Sequence, residues 1–500
     1  MIKWGVSAMS HDAALAVYKD GEIVYASHGE RYSRIKNDKN LHTEQINEAL
    51  DWGEPEQVFF YENTFKKKIR QIRSQQFKLL AKQTPGSYMR SFGINAPIKL
   101  TSHHHSHAAY AMATNPSESQ NSDILVIDSI GEFETLSVWH ERHGKLKKAW
   151  SQIYPHSVGL WYSAMTQRLG LKPQEHEYIL MGMAALGDPN RYRELILHDF
   201  FHKLPNLNDP KIIFSVNLHR GCMWWRPEIT NIQDYVDIAA AVQGIYEEIF
   251  NGILSWMRSK SDVDNISIVG GCALNCVANI HAYKYYSHVW VPPNPGDAGS
   301  SIGAIYANTH ERHPLRTPHL GTDIPGEYPI ERVLDDLEQR NISAVASGRA
   351  EFGPRALGKR SILADPRVTD IKDSVNKLKK REGFRPFAPM ILAEHVDEYF
   401  ETPNKIYQSP YMQYALKCRR PDLYPGIVHI DNTSRVQTVG SDDDPDVRRL
   451  LLAWHERTGC PMLLNTSLNV RGEPLVNKRK DAVRWSELNG LTVRTPILTK

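Results

Sequence analysis

At 500 residues, with 60 lysines and arginines against 57 aspartates and glutamates and 41% hydrophobic residues, the chain has the make-up of a folded globular protein of about two to four domains. No run of about 18 apolar residues occurs, which excludes a membrane-spanning helix, and a formal net charge of +3 is too balanced to indicate a polyanion partner, although a local basic groove is compatible with it. The first residues, Met1 to Ser10, lack a basic segment followed by an apolar core and read as a strand, so a cytoplasmic location is the expectation.

In chain order, Ile2 to Ala8, Ala13 to Tyr18 and Glu22 to Ser27 read as a three-strand antiparallel meander, with Asp20-Gly21 as its hairpin turn. Three strands followed by mixed helix and strand are how a ribonuclease-H-like half begins. Four histidines then fall within five residues, at His103, His104, His105 and His107, ahead of the helix-favouring Ala108, Ala109 and Tyr110. On a helix the i, i+4 pair His103 and His107 shares one face, the arrangement that grips a transition metal. A solvated polar turn fits this segment equally well, since the acidic residue of a zinc-protease HExxH helix is missing.

Further on, Val242, Ile245, Ile249, Ile253 and Trp256 recur at helical steps and predict an amphipathic helix over Asp234 to Arg258. It leads into a buried strand, Ile266 to Val269, ending in Gly270-Gly271, and a second strand, His288 to Val291, runs into a proline-rich turn before Asp297. Glycine pairs at strand ends admit a ligand close to the backbone, and a nucleotide cleft between two halves would use such a turn; a plain turn is the commoner use. From about Thr309 to Pro329 prolines and glycines, Pro314 and Pro318 among them, read as an interdomain connection. Beyond it Arg349, Arg355, Lys359, Arg360, Arg367, Lys379, Lys380, Arg381 and Arg385 alternate with glycines, which suits loops that hold a phosphorylated small molecule, or else a solvated basic face. Cys222, Cys272, Cys276, Cys418 and Cys460 are few and scattered, and Cys272 and Cys276 are spaced unlike a zinc knuckle or redox pair, so they read as small buried side chains. No repeat is visible by eye.

Thirteen stretches, in order, resemble one family: GVSAMSHDAAL, GERYSRIKND, HHHSHAA, VIDSIGE, PHSVGLWYSAMTQRLG, EYILMGMAALG, DIAAAVQGIYEE, GGCALNCVAN, PGDAGSSIGA, EFGPRALGKRSILADPR, LKKREGFRPFAPM, HIDNTSRVQTV and GCPMLLNTSLNVRGEPLV. The family is that of the ATP-dependent O-carbamoyltransferases of the tobramycin and nodulation-factor type. Departures are Ile179 where the family has lysine, His105 where it has leucine, and a short C-terminal tail.

The resemblance implies an α/β protein: a duplicated ribonuclease-H-like domain of the actin-like ATPase superfamily over 1–320 and a YrdC-like α/β domain over 330–500. It implies that ATP activates carbamoyl phosphate as a carbamoyl adenylate and that the carbamoyl group passes to a hydroxyl. The metal ligands would be His103, His107 and Asp297, with Asp128 either a fourth ligand or a hydrogen-bond partner of the others; Fe(II) is favoured over the Zn(II) or Mn(II) that the same donors suit, and Mg2+ would accompany ATP. Gly131, Gln243, Glu247, Gly270, Gly271 and Asn275 would meet the nucleotide; Lys379, Arg381, Arg385, Arg435, Asn465 and Ser467, beside Thr466, would meet carbamoyl phosphate. His11 takes the position of the general base, oriented by Asp12, with Lys36 facing the acceptor; without the family, a histidine beside an aspartate in a turn reads as local hydrogen bonding. The acceptor, which could be an antibiotic, a sugar, a lipo-oligosaccharide or a hydroxymethylated pyrimidine nucleotide, free or in DNA, is not legible, and a homodimer is an open expectation. Three other classes compete: an actin-fold small-molecule kinase, a nucleotide-gated binding protein, and a threonylcarbamoyl transferase acting on tRNA.

Overall fold

The computed structural model describes residues 1–76, 83–309, 315, 317–403 and 407–497. The chain divides into two compact units, Met1–Val24 with Ala49–Leu315, and Tyr25–Glu48 with Arg316–Lys500.

The chain opens with β1 (Ile2–Ser7), β2 (Ala14–Lys19) and β3 (Glu22–His28), the last running from the first unit into the Tyr25–Glu48 segment of the second. Asp20 and Gly21 between β2 and β3 have φ of 50° and 97°, the paired positive values that a type I′ hairpin demands and that its right-handed strands favour. With β4 (Gln57–Phe60) and β5 (Ile98–Leu100) these strands form a sheet in the order β3-β2-β1-β4-β5, in which β1 is antiparallel to β2 and parallel to β4. A second sheet uses β6 (Asn121–Ile127), β7 (Glu134–Arg142), β8 (Lys145–Ile153), β9 (Asn265–Val269) and β10 (His288–Trp290) in the order β10-β9-β6-β7-β8. Here β6 is antiparallel to β7 and parallel to β9, so the second sheet repeats the connectivity of the first. The repeat lies in topology, which is why no repeated string is visible in the sequence.

Four helices matter for the site: α1 (Thr64–Arg73), α2 (His103–Thr114), α3 (Ile232–Lys260) and α4 (Ser300–Thr309). The histidine-rich segment is therefore helical, and the alanine run after it explains where it goes. Ala108, Ala111 and Met112 pack against Ile124, Val126, Trp139 and Val269 of the second sheet. On another side, α2 lies so close to α4 that a Cβ at Gly303 would stand 1.9 Å from the Ser106 carbonyl oxygen, and a Cβ at Gly5 of β1 would stand 1.8 Å from that of Ser301. Small residues thus let α4 wedge between β1 and α2. The predicted long helix is α3, capped by the Asn231 side chain accepting from the Gln233 backbone N–H.

In the second unit, β11 (Ile342–Ala346), β12 (Arg360–Ala364), β13 (Ala388–Leu392), β14 (Gln437–Val439), β15 (Met462–Ser467) and β16 (Val493–Arg494) make one mixed sheet, ordered β14-β13-β15-β12-β11-β16. The interdomain connection expected over 309–329 lies partly outside the described residues, at 310–314 and 316. Within it, His319–Ile324 is not irregular but a strand, antiparallel to Gly348–Glu351. Its partner lies well beyond the reach of local pattern, so punctuation by proline and glycine concealed it.

Candidate functional site

Four buried side chains converge in the first unit. His103 and His107 reach in from α2, Asp128 from the end of β6, and Asp297 from the turn before α4; their candidate ligand atoms all lie within 4.8 Å of one another. His103 Nε2 is 3.0 Å from Asp128 Oδ2 and 3.4 Å from Asp297 Oδ1, and His107 Nε2 is 3.2 Å from His103 Nε2 and 3.4 Å from Asp297 Oδ1. Metal–nitrogen and metal–oxygen bonds of about 2.0–2.2 Å place neighbouring ligands roughly 3.0–3.5 Å apart, so the donor set fits a divalent ion. Two imidazole nitrogens facing each other and two carboxylates need a proton or a cation between them. Burial opposes protonation of His103, but Asp297 and Asp128 outweigh it and hold the ring well above its ordinary value; the same pairing holds both carboxylates well below theirs.

The backbone around this cluster is shaped to fit. A Cβ at Gly131 would sit 3.0 Å from His103 Cβ. Gly270 has φ +95°, and Gly271 donates its N–H to Asp128 Oδ1 at 3.1 Å. One residue absent from the sequence reading completes it. Ser102, at the N-cap of α2, makes no side-chain cap. Glu132 does that work from the loop after β6, accepting the His103 N–H at 3.0 and 3.2 Å and the Asn63 N–H at 2.6 Å. A carboxylate there satisfies an orphan helix donor and opposes the positive end of the helix. Its signal was present in VIDSIGE, but which N–H it meets depends on tertiary contact.

His11 joins the cluster from the turn after β1. Its Nδ1 is 3.2 Å from Asp12 Oδ2 and its Nε2 is 3.5 Å from Asp297 Oδ2. Burial lowers its basicity, yet Asp297 first and Asp12 next carry it up to about 9. Lys36 belongs to the second unit, where Nζ pairs with Glu30 at 3.2 Å.

Of the residues assigned to the nucleotide, Gln243, Glu247 and Asn275 form one network. The Gln243 oxygen accepts from Tyr162 Oη at 2.9 Å and Asn275 Nδ2 at 2.9 Å, while its nitrogen donates to Glu247 Oε1 at 2.8 Å and Asn275 Oδ1 at 3.2 Å. Both ends of the amide are thus committed inside the protein. Gln243 fixes Asn275 and Glu247; the Glu247 carboxylate, an acceptor, decides which way the amide points, and Tyr162, which the sequence reading missed, donates to its oxygen.

In the second unit Lys379, Arg381 and Arg385 stand close enough that burial first, then the two guanidiniums, push the Lys379 ammonium well below its ordinary value. Its Nζ donates to the Ser467 carbonyl, to Ser467 Oγ at 3.2 Å, and to Asn469 O and Oδ1 at 3.0 and 2.9 Å. The lysine therefore clamps the turn after β15. Asn465 on β15 donates to the Ala356 carbonyl at 3.0 Å and to Gln437 Oε1 at 2.7 Å. Arg381 Nε donates to Asn376 Oδ1 at 2.6 Å with its guanidinium 4.3 Å from the Phe387 ring centroid, and Arg435 stands on a separate short strand, in register with Ala415. Cys222, Cys276, Cys418 and Cys460 are buried thiols, as expected, whereas Cys272 is only partly buried. No helix among the described residues is long and apolar enough to cross a membrane.

Residues 57–306 match the family model described as carbamoyltransferase N-terminus, and 334–498 match carbamoyltransferase C-terminus. The chain is 32% identical to the uncharacterized protein sll1178 of Synechocystis over 99% of this chain and 96% of that protein. It is 30% identical to the nodulation protein NolNO of Sinorhizobium fredii, over 98% of this chain and 79% of the relative. The 3'-hydroxymethylcephem-O-carbamoyltransferase of Amycolatopsis lactamdurans is 26% identical, over 96% of each chain.

Proposed function

The chain belongs to the carbamoyltransferase family, and from that premise we propose that it activates carbamoyl phosphate with ATP and transfers the carbamoyl group to an acceptor hydroxyl. The observation that carries this reading is the placement of His11 Nε2 3.5 Å from Asp297, at the edge of a cluster suited to a divalent ion. The repeated sheet connectivity supports the duplicated, actin-like reading of the first unit, and the mixed sheet of the second is where a YrdC-like reading applies.

Carbamate is a poor electrophile. Loss of phosphate from carbamoyl phosphate, with water entering, yields carbamate; its oxygen attacks the α-phosphorus of ATP, pyrophosphate leaves, and the carbamoyl carbon now has AMP as its leaving group. In the second unit Arg381, Arg385 and Arg435 supply the cations for phosphate, Lys379 holds the Ser467 turn against them, and Asn465 and Ser467 are the polar neighbours of the carbamoyl group.

Transfer requires that the acceptor oxygen lose its proton as it attacks. The neutral form of His11, the minority form until pH approaches about 9, takes that proton and Asp12, on its Nδ1, holds the ring, while AMP departs and the O-carbamoyl bond forms. His103, His107, Asp128 and Asp297 would hold a divalent ion, Fe(II) by family, which supplies Lewis-acid charge beside the phosphates when bound. Gly271, exposed beside Asp128, leaves backbone accessible to the nucleotide, whereas Gly131 and Gly270 are buried against His103 and Ile127 and shape the cleft from behind; Asn275 and Glu247, held by Gln243, offer hydrogen-bonding groups.

Candidate hydroxyl compounds incubated with ATP and carbamoyl phosphate should gain one carbamoyl group, with AMP and pyrophosphate as co-products. His11→Ala should still exchange pyrophosphate into ATP while transfer falls by roughly a hundred- to ten-thousandfold. Production of ADP and a phosphorylated acceptor instead would overturn the reading in favour of a kinase.

A further inference from the structure

Net charge gave no sign of a polyanion partner, but the positive charge is unevenly spread. The ten residues of α1, TFKKKIRQIR, include Lys66, Lys67, Lys68, Arg70 and Arg73 and no acidic residue. Lys67 is taken up by Glu62 at 2.8 and 3.0 Å; among the described residues, no carboxylate pairs with Lys66, Lys68 or Arg73.

The helix is fastened at both ends to the loop that follows Asp128. Asn63, its N-cap, donates its N–H to Glu132 at 2.6 Å. Near the other end the Arg70 guanidinium lies 5.8 Å from the Tyr154 ring centroid, and the Tyr154 N–H bonds to the Phe133 carbonyl at 2.8 Å. Tyr154 also meets His219 edge-on at 5.8 Å. Burial, then Arg70 and Arg220, push that imidazole below its ordinary value, so positive charge from two segments converges here. The neighbouring carboxylates, Glu62 and Glu132, are buried and already bonded. Phe65, Ile72 and Ile153 lie exposed in the same region, at 70%, 52% and 55%.

We propose that α1 and the Arg220 turn bind the phosphodiester backbone of a nucleic-acid strand, which makes the acceptor hydroxyl one carried on that strand. This rests on the O-carbamoyl reading above and specifies its acceptor. A ten-residue helix is about 15 Å long, enough to face two or three phosphates of one strand, whose neighbours stand roughly 6–7 Å apart. The one phosphate of a mononucleotide would leave most of these cations unmatched. Exposed Phe65 offers a face for base stacking, which tolerates any sequence.

The test is fluorescence anisotropy of a labelled single-stranded 12-nucleotide DNA titrated with the full chain across about 50 to 200 mM salt. Binding should weaken steeply with salt. The exposed pair Lys66→Ala/Arg73→Ala should bind at least tenfold more weakly and flatten the logarithmic salt slope by about 1.4, some 0.7 for each lost contact. Lys145→Ala/Lys147→Ala, at the end of β8 opposite Ile153, removes the same charge elsewhere and should leave both unchanged. Loss of equal size in that control, or no binding by the parent chain at about 10 μM protein in low salt, would overturn the proposal. Carbamoyl-phosphate-dependent exchange of pyrophosphate into ATP, measured on the parent chain, separates the two readings. Exchange without strand binding removes the nucleic-acid flank alone, and strand binding without exchange keeps the flank and removes the transfer chemistry.

Discussion

Replacing Gly303 by alanine tests whether close helix packing assembles the proposed metal cluster. The added Cβ would stand 1.9 Å from the Ser106 carbonyl oxygen and 3.0 Å from Tyr110 Cβ, both on α2. Ordinary contact begins at 3.4 Å, so α2 and α4 must separate by about 1.5 Å, because neither neighbouring atom is the movable end of a side chain. Overpacking of this kind costs about 1–3 kcal/mol. The functional effect follows from where the ligands sit: His103 and His107 ride on α2, whereas Asp297 immediately precedes α4. If the whole shift reached the site, the 3.4 Å between Asp297 and either histidine would widen to about 4.9 Å, past the roughly 4.2 Å that one ion can span with bonds of about 2.1 Å, and partial relaxation leaves it near that limit. Metal affinity, measured by competition with a chelator, should fall by about ten- to a hundredfold, and the urea midpoint should drop with it. Gly182→Ala is the control: its Cβ would meet nothing within 4 Å. Parent metal affinity in Gly303→Ala, with stability within about 0.5 kcal/mol, would refute the packing argument.

Glu132→Ala should weaken metal binding by about tenfold or more while Glu132→Gln, which keeps a carbonyl for the His103 N–H, stays within a few-fold; equal loss in both would show that hydrogen-bond geometry is not what Glu132 supplies. Lys379→Ala leaves the acceptors of the Ser467 turn unmatched and should cost about 1–3 kcal/mol and abolish carbamoyl-phosphate consumption, with metal content unchanged by elemental analysis. Parent turnover in that variant would remove Lys379 from the pocket. Glu30 is buried, yet Lys36, Arg31 and His28 overcome that burial and lower its carboxyl from 4.5 to about 2. A depressed carboxylate stabilises the fold fully above its unfolded value and loses that contribution as pH falls, so stability should decline between about pH 4.5 and 2. Glu30→Gln should decline less across that window in acid titrations followed by circular dichroism, and identical curves would exclude the ion pairing as the cause.

Features governed by short-range geometry were legible from residue order. Asp20-Gly21 specifies its hairpin because two positive φ values are cheap there. The apolar spacing of α3 specifies a helix that the structure extends to Ile232–Lys260, and the i, i+4 interval of His103 and His107 puts both rings on one face once the segment is helical. Motif resemblance added Asp128, Asp297 and His11 as names without positions.

What residue order alone left open is which of these meet. Asp297 reaches His103 because α4 is seated against α2 across Gly303, and Asp128 reaches it because β6 is central to its sheet. Glu132 caps a helix whose first residue lies 29 positions earlier, Tyr162 donates to an amide 81 positions later, and Tyr25–Glu48 joins the second unit although the chain around it belongs to the first. Backbone dihedral preferences act over a few residues, so they write hairpins, caps and helix faces into the sequence. Contacts across tens or hundreds of residues depend on strand order and on where small side chains let backbones approach, and those exist only in the folded chain.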